Sequence, residues 1–142
     1  FDEEFISDKI EKYYPHNELS SDIFIIGKSY HQNLKRILKK ARTNQIRWQS
    51  KMNIVSDKAF FIDVGHEHLY RMSLADDTVE TIKEEQIKDS NYEIFRCSYS
   101  LLMGLVTGHF NYSNVKTGLM SFYRKPDDFD PKIHILMSYL QL

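Results

Sequence analysis

The chain has 142 residues, 42% of them hydrophobic and 13% aromatic, with 27% charged and a formal net charge of −1. That length and composition suit one globular domain that buries a core without metal or disulfide support. The charge balance gives no global attraction to nucleic acid or acidic membranes, and no apolar run reaches the ~20 residues of a membrane-spanning helix.

Cys97 is the single cysteine, which excludes an internal disulfide and suits a reducing, cytoplasmic compartment. The chain opens on Phe1-Asp2-Glu3-Glu4, with neither an initiator Met nor a signal-peptide pattern. This predicts a fragment of a longer protein, with any catalytic domain upstream.

Residues 1–18 are read as an N-terminal segment, with a short helix over 2–13 ending at Tyr14-Pro15. Residues 19–142 form the domain proper. Ser20, Ser21 and Asp22 are N-cap residues for a long helix, in which Ile23, Ile26, Tyr30, Leu34, Ile37, Leu38 and Ala41 recur at helical spacing. Its expected end is Thr43-Asn44.

The period then changes to two. Ile46, Trp48, Ser50, Met52 and Ile54 alternate with Arg47, Gln49, Lys51 and Asn53, which predicts a half-buried strand with Trp48 on the core side. Further strands are predicted over 59–64, 68–74, 78–82 (polar and edge-lying) and 91–97, separated by Ser56-Asp57-Lys58, Gly65-His66-Glu67, Ala75-Asp76-Asp77 and the charged stretch 83–90. Short strand–turn–strand units of this kind predict an antiparallel meander rather than a βαβ crossover.

Ser98 caps a predicted helix over 99–107 that stops at Gly108. A loop over 109–116, a strand over 118–124 and a terminal helix after Pro131, with Ile133, Leu136, Met137 and Leu140 on one face, complete the chain. The expected fold class is α+β: a mainly antiparallel sheet of about five or six strands covered by helices.

Several residues carry chemistry worth weighing. His66 and His68, at i and i+2, share a strand face and could together hold zinc, but nothing nearby supplies a third ligand and a polar turn is the preferred reading. Cys97 adjoins a helix N-terminus, which lowers a thiol pKa; a small buried apolar role is preferred. His109, Asn111, Tyr112 and Asn114 are the densest polar-aromatic group and the loop candidates for ligand or partner contact.

Lys35, Arg36, Lys39, Lys40, Arg42, Arg47 and Lys51 concentrate positive charge, with a solvated helix face preferred over an anion site. Met52, Phe61, Met72, Met103, Met120, Phe122 and Met137 would line an apolar ligand cavity if one exists; a filled core uses the same residues. No catalytic residue, metal site or cofactor is assigned, because paired carboxylates, a nucleophilic triad and a phosphate loop are all missing from the pattern.

The segment 98–108 running into Gly, the loop 109–117, the run Gly118-Leu119-Met120-Ser121-Phe122 and the terminal helix 131–142 resemble a sterol-carrier-protein-like domain. More narrowly, Gly108-His109-Phe110-Asn111-Tyr112-Ser113-Asn114 followed by Arg124-Lys125-Pro126-Asp127 resembles the C-terminal tail domain of some metallo-β-lactamase-fold hydrolases, whose loop reads Gly-His-Trp-Asn-Asn. Here Phe110 replaces the Trp, and Tyr112-Ser113 separates the two Asn.

The hydrolase motif His-x-His-x-Asp-His is not matched by His66-Glu67-His68-Leu69-Tyr70. The resemblance therefore implies a non-catalytic C-terminal appendage with zinc chemistry elsewhere in the parent. The implied partners are the upstream domain of the same chain, a second copy as a homodimer, and an apolar small molecule (lipid, fatty acid or sterol-like) in the alternative lipid-binding reading. Nucleic acid is not expected.

Overall fold

The computed structural model describes residues 27–142; the N-terminal segment 1–18, its helix over 2–13 and the caps Ser20–Asp22 lie outside them. Within the described residues the chain is α+β, with four α-helices and a five-stranded mixed sheet.

Helix α1 runs from Gly27 to Lys51, absorbing residues 46–51 of the stretch expected to be a strand over 46–54. Its buried stripe is Asn33, Leu34, Ile37, Leu38, Ala41, Arg42, Gln45 and Gln49 among the described side chains. This is regular helical spacing, but its last three members are polar. The apolar alternation at 46–54 is therefore not a core face. Ile46 is half-buried, and Trp48 is 36% exposed instead of buried, stacked on Tyr139 at 4.7 Å. The helix ends where Asn53 turns left-handed at φ 52, with Asn53 N–H donating to Ser50 O and Ile54 N–H to Gln49 O. Asparagine tolerates this conformation and closes the last turn.

Strands β1 (Ala59–Asp63), β2 (Leu69–Ser73) and β3 (Val79–Ile82) form the expected antiparallel meander. The chain then crosses back over one sheet face through residues 83–91, making a 3₁₀ turn at Glu84–Gln86. Strand β4 (Tyr92–Arg96) consequently lies parallel to β1, pairing Ala59 with Tyr92 and Asp63 with Arg96. The expectation of a meander without a crossover is corrected here.

Charge pairs hold the crossover. Arg71 forks onto Asp89 at 3.0 and 2.7 Å, while Arg96 bridges Asp63 and Glu84. The charged stretch 83–90, which looks like a solvated linker, is thus tied at two points to arginines on the sheet.

Helix α2 (Tyr99–Val106) begins at Ser98, whose Oγ accepts from Leu101 N–H at 3.1 Å, and Gly108 follows it at φ 79. The expected loop over 109–116 is largely helical: α3 spans Tyr112–Leu119 and is capped by Asn111, whose Oδ1 accepts from Ser113 N–H at 3.0 Å. Strand β5 is Ser121–Lys125, antiparallel to β4. Helix α4 (Pro131–Met137) starts from Asp130, which accepts from Lys132 N–H at 3.0 Å and also lies 3.6 Å from the buried Lys58 Nζ.

The sheet order is β3-β2-β1-β4-β5. One face carries Phe60, Ile62, Tyr70, Met72 and Phe95 into the main core with α1, α2, α3 and α4. The other carries Ala59, Phe61, Leu69 and Ile94, packed with Ile82, Ile87 and Tyr92.

Gly104 sets the join between α2 and the following turn. A Cβ there would lie 2.2 Å from Phe110 Cδ2, so only glycine lets that ring lie flat on the helix. Gly104→Ala is expected to cost about 1–3 kcal/mol by overpacking, measured by urea unfolding. The double change Gly104→Ala/Phe110→Leu should recover part of that loss; an unaltered Gly104→Ala would show the ring moves freely.

Candidate functional site

Glu93, Arg124, His134 and Tyr112 come together from β4, β5, α4 and α3. In β4 the alternation that sends Phe95 to the helix face sends Glu93 there too, and its side chain is 0% exposed. Register places Arg124 opposite it, and Arg124 Nε donates to Glu93 Oε1 at 2.8 Å. Glu93 Oε2 lies 2.7 Å from His134 Nε2, within ion-pair range though not aligned as a straight hydrogen bond. On the other side of the ring, His134 Nδ1 is 2.6 Å from Tyr112 Oη.

Which of Tyr112 Oη and His134 Nδ1 donates follows from the imidazole tautomer, and the ring's Nε2 faces the Glu93 carboxylate. Phe95, Phe122 and Phe129 surround the imidazole at centroid distances of 5.4, 5.3 and 4.9 Å.

The electrostatics are those of a strut. Burial raises the Glu93 carboxyl pKa, but His134 and Arg124 outweigh it and hold the group below its ordinary 4.5. Burial, with the Glu93 charge adding to it, pushes the Tyr112 phenol well above its usual range. A phenol so hard to ionise is a poor nucleophile or base at neutral pH. Tyr112, His134 and Glu93 are all buried.

Of the loop candidates, then, Tyr112 belongs to this cluster. Asn111 is the α3 cap, Asn114 is exposed on α3, and the His109 ring lies against Phe110 at 4.9 Å. Glu93, Arg124 and His134 were missed by sequence reasoning. The available signal was that Glu93 and Arg124 each share a strand face with a phenylalanine, Phe95 and Phe122. His134 likewise falls three residues before Met137 on the apolar stripe of α4.

The cavity candidates split. Met72, Met103, Met120 and Met137 are buried in the helix-side core, with Met52 and Phe122 half-buried against it. Phe61 is on the opposite sheet face and cannot line the same space.

A second polar assembly closes the end of α1. Arg42, 1% exposed, donates through Nη1 to Gln45 Oε1 at 2.8 Å and through Nη2 to Gln49 Oε1, Ser73 O and Asp76 O at 2.9–3.1 Å. Gln45 Nε2 donates to Leu136 O and Gln49 Nε2 to Leu74 O, both at 2.8 Å. Burial lowers the Arg42 pKa to about 10, against the pull of Asp76 and Asp77.

Arg42 is thus part of the core rather than of the basic face, while Lys35, Arg36, Lys39, Lys40, Arg47 and Lys51 remain exposed. A groove of about 500 Å³ above this assembly is lined by Ile46, Ser50, Asn53, Val55 and Asp77, among others.

Burial, reinforced by Asp63, pushes the Cys97 thiol up to about 12, which suits a packing role. Among the described residues no group of three or more His, Cys, Asp or Glu could hold a metal ion, so His66 and His68 gain no third ligand there. No described helix is long and apolar enough to cross a membrane.

Compared with known proteins, the chain matches no family model, no curated protein and no solved structure.

Proposed function

We propose that the chain is a non-catalytic accessory domain, the C-terminal part of a larger metallo-β-lactamase-fold hydrolase. It acts by packing against that enzyme, by dimerising, or by shaping access to its site, in a cytoplasmic setting. The observation that carries this reading is the distribution of exposed apolar surface. Trp48 and Val55 apart, the exposed large apolar side chains among the described residues are Leu119 (60%), Tyr123 (50%), Phe129 (59%) and Ile135 (47%). All belong to β5 or to the segments flanking it. Only Tyr123 lies on β5 itself, with Leu119 at the end of α3, Phe129 in the following loop and Ile135 on α4; we take this stretch of the chain as the docking surface.

The order of parts agrees with a sterol-carrier-protein-like domain. A meander is followed by a helix running to Gly108, an apolar-alternating strand containing Phe122, and a terminal helix from Pro131. The differences are the crossover that sets β4 parallel to β1 between the meander and that helix, and α3, which occupies most of the expected loop.

The second reading is a carrier of an apolar ligand. It is favoured by the convergence of Met52, Met72, Met103, Met120, Phe122 and Met137 on one core. Native mass spectrometry of the purified chain, followed by organic extraction, separates the two. The accessory reading expects an unliganded mass and no binding of added fatty acid. A near-stoichiometric fatty acid or sterol would reverse the order of the two readings.

A further inference from the structure

The two edges of the sheet are unlike. Strand β3 is four residues long, and its exposed Glu80 carboxylate lies 3.9 Å from Arg71. Strand β5 has five residues and, among the described residues, pairs on one side only, with β4. An unpaired edge presents a row of backbone donors and acceptors that only another extended strand can satisfy fully. Proteins often protect such an edge with a charge aimed inward. Here that charge, Arg124, is already neutralised by Glu93 at 2.8 Å. Lys125 is the edge's only other charge.

Side chains on this edge continue a pattern from inside the sheet. Phe61 of β1, Tyr92 of β4 and Tyr123 of β5 form a diagonal aromatic row, with ring centroids 5.5 and then 6.1 Å apart. The row runs out at Tyr123, which is half-exposed at the edge. On the opposite face of the strand, Phe122 packs edge-on to Phe95 at 5.5 Å.

We propose that β5 pairs antiparallel with β5 of a second copy of this chain about a two-fold axis at Tyr123, joining the two sheets. The inference rests on the accessory-domain reading and names one of its docking partners. An antiparallel register centred on Tyr123 sets Tyr123 against its symmetry mate, Phe122 against Arg124 and Ser121 against Lys125. No like charges meet in that register, and the aromatic row becomes continuous across the axis. The two-fold also closes, so the assembly stops at two copies. Pairing β5 with the β3 edge of another molecule would instead leave free edges and propagate.

The test is sedimentation equilibrium of the 142-residue chain over a range of concentrations, with variants that leave the folded protomer intact by circular dichroism. Ser121→Lys sets lysine against Lys125 twice per dimer and is expected to weaken dimerisation about tenfold, from the usual penalty for facing like charges. Ser121→Lys/Lys125→Glu restores an attractive pair and should recover the loss. If Ser121→Lys fails to fold, Tyr123→Glu places two carboxylates across the axis and replaces it.

A monomer at every concentration overturns the pairing, as does a dimer indifferent to these substitutions. Neither result touches the accessory reading, which falls only if the chain carries a stoichiometric lipid.

Discussion

Replacing Arg42 with alanine is expected to destabilise the fold by about 3–5 kcal/mol, from the loss of several buried hydrogen bonds to a charged donor and of the packing of its stem. The guanidinium supplies the donors for Gln45 Oε1, Gln49 Oε1 and Ser73 O, all buried, and for Asp76 O, which is part-buried at the groove. Each buried acceptor left unpaired costs about 1–3 kcal/mol, and relaxation of the groove above recovers part of the sum. Arg42→Lys keeps the charge but loses the planar fork, so it should fall between alanine and wild type. Urea unfolding monitored at Trp48 measures both. A loss below about 1 kcal/mol in Arg42→Ala would mean the network is not holding α1 to the β2–β3 turn.

Stability is expected to fall steeply with acidification, and Glu93→Gln should blunt that fall. The folded-state pKa of Glu93 is depressed below 4.5, so the carboxylate stabilises the fold fully above that value. Its contribution disappears as pH drops through the lowered folded pKa, because the unfolded chain then binds the proton more readily. Asp89, held down chiefly by its hydrogen bonds from Arg71, and Asp76, held down chiefly by those from Thr78, add to the slope below their ordinary 3.8.

At neutral pH, Glu93→Gln should cost about 2–4 kcal/mol, since it leaves Arg124 and His134 without their charged partner. Below pH 4.5 the wild-type and variant curves should converge, because a protonated glutamate resembles glutamine. Unfolding midpoints measured from pH 7 to 3 test this. Parallel curves across the whole range would place the carboxylate outside the stabilising network.

Much of the local structure was legible from residue patterns. Strands β1, β2, β3 and β4 lie within one or two residues of where period-two alternation and the turn residues predict them. Ser98 and Gly108 bound α2 as cap chemistry dictates. These elements answer to short-range rules: side-chain alternation, capping and left-handed glycine.

The errors have a common cause. Helix α1 was cut short because its last buried positions hold Arg42, Gln45 and Gln49, which an apolar-periodicity rule reads as surface. Those side chains are tolerated inside only because Ser73, Leu74, Asp76 and Leu136 offer backbone carbonyls from other elements. Trp48 was placed inside for the same reason. The start of α3 reads as loop because Asn111, its cap, and Ser113 are polar, while Tyr112 and Val115 are the members buried ahead of its midpoint.

By itself, then, the sequence determined an α+β domain, the antiparallel run of β1, β2 and β3 within it, and a terminal helix started by Pro131, because local backbone preferences suffice for these. Only the tertiary structure decided the rest. The parallel pairing of β1 with β4 depends on a crossover held by Arg71 and Arg96. Phe61 was separated from the methionine core by which sheet face it occupies. The union of Glu93, Arg124, His134 and Tyr112 required four elements to meet, since a buried carboxylate becomes stable only when partners distant in sequence arrive to satisfy it.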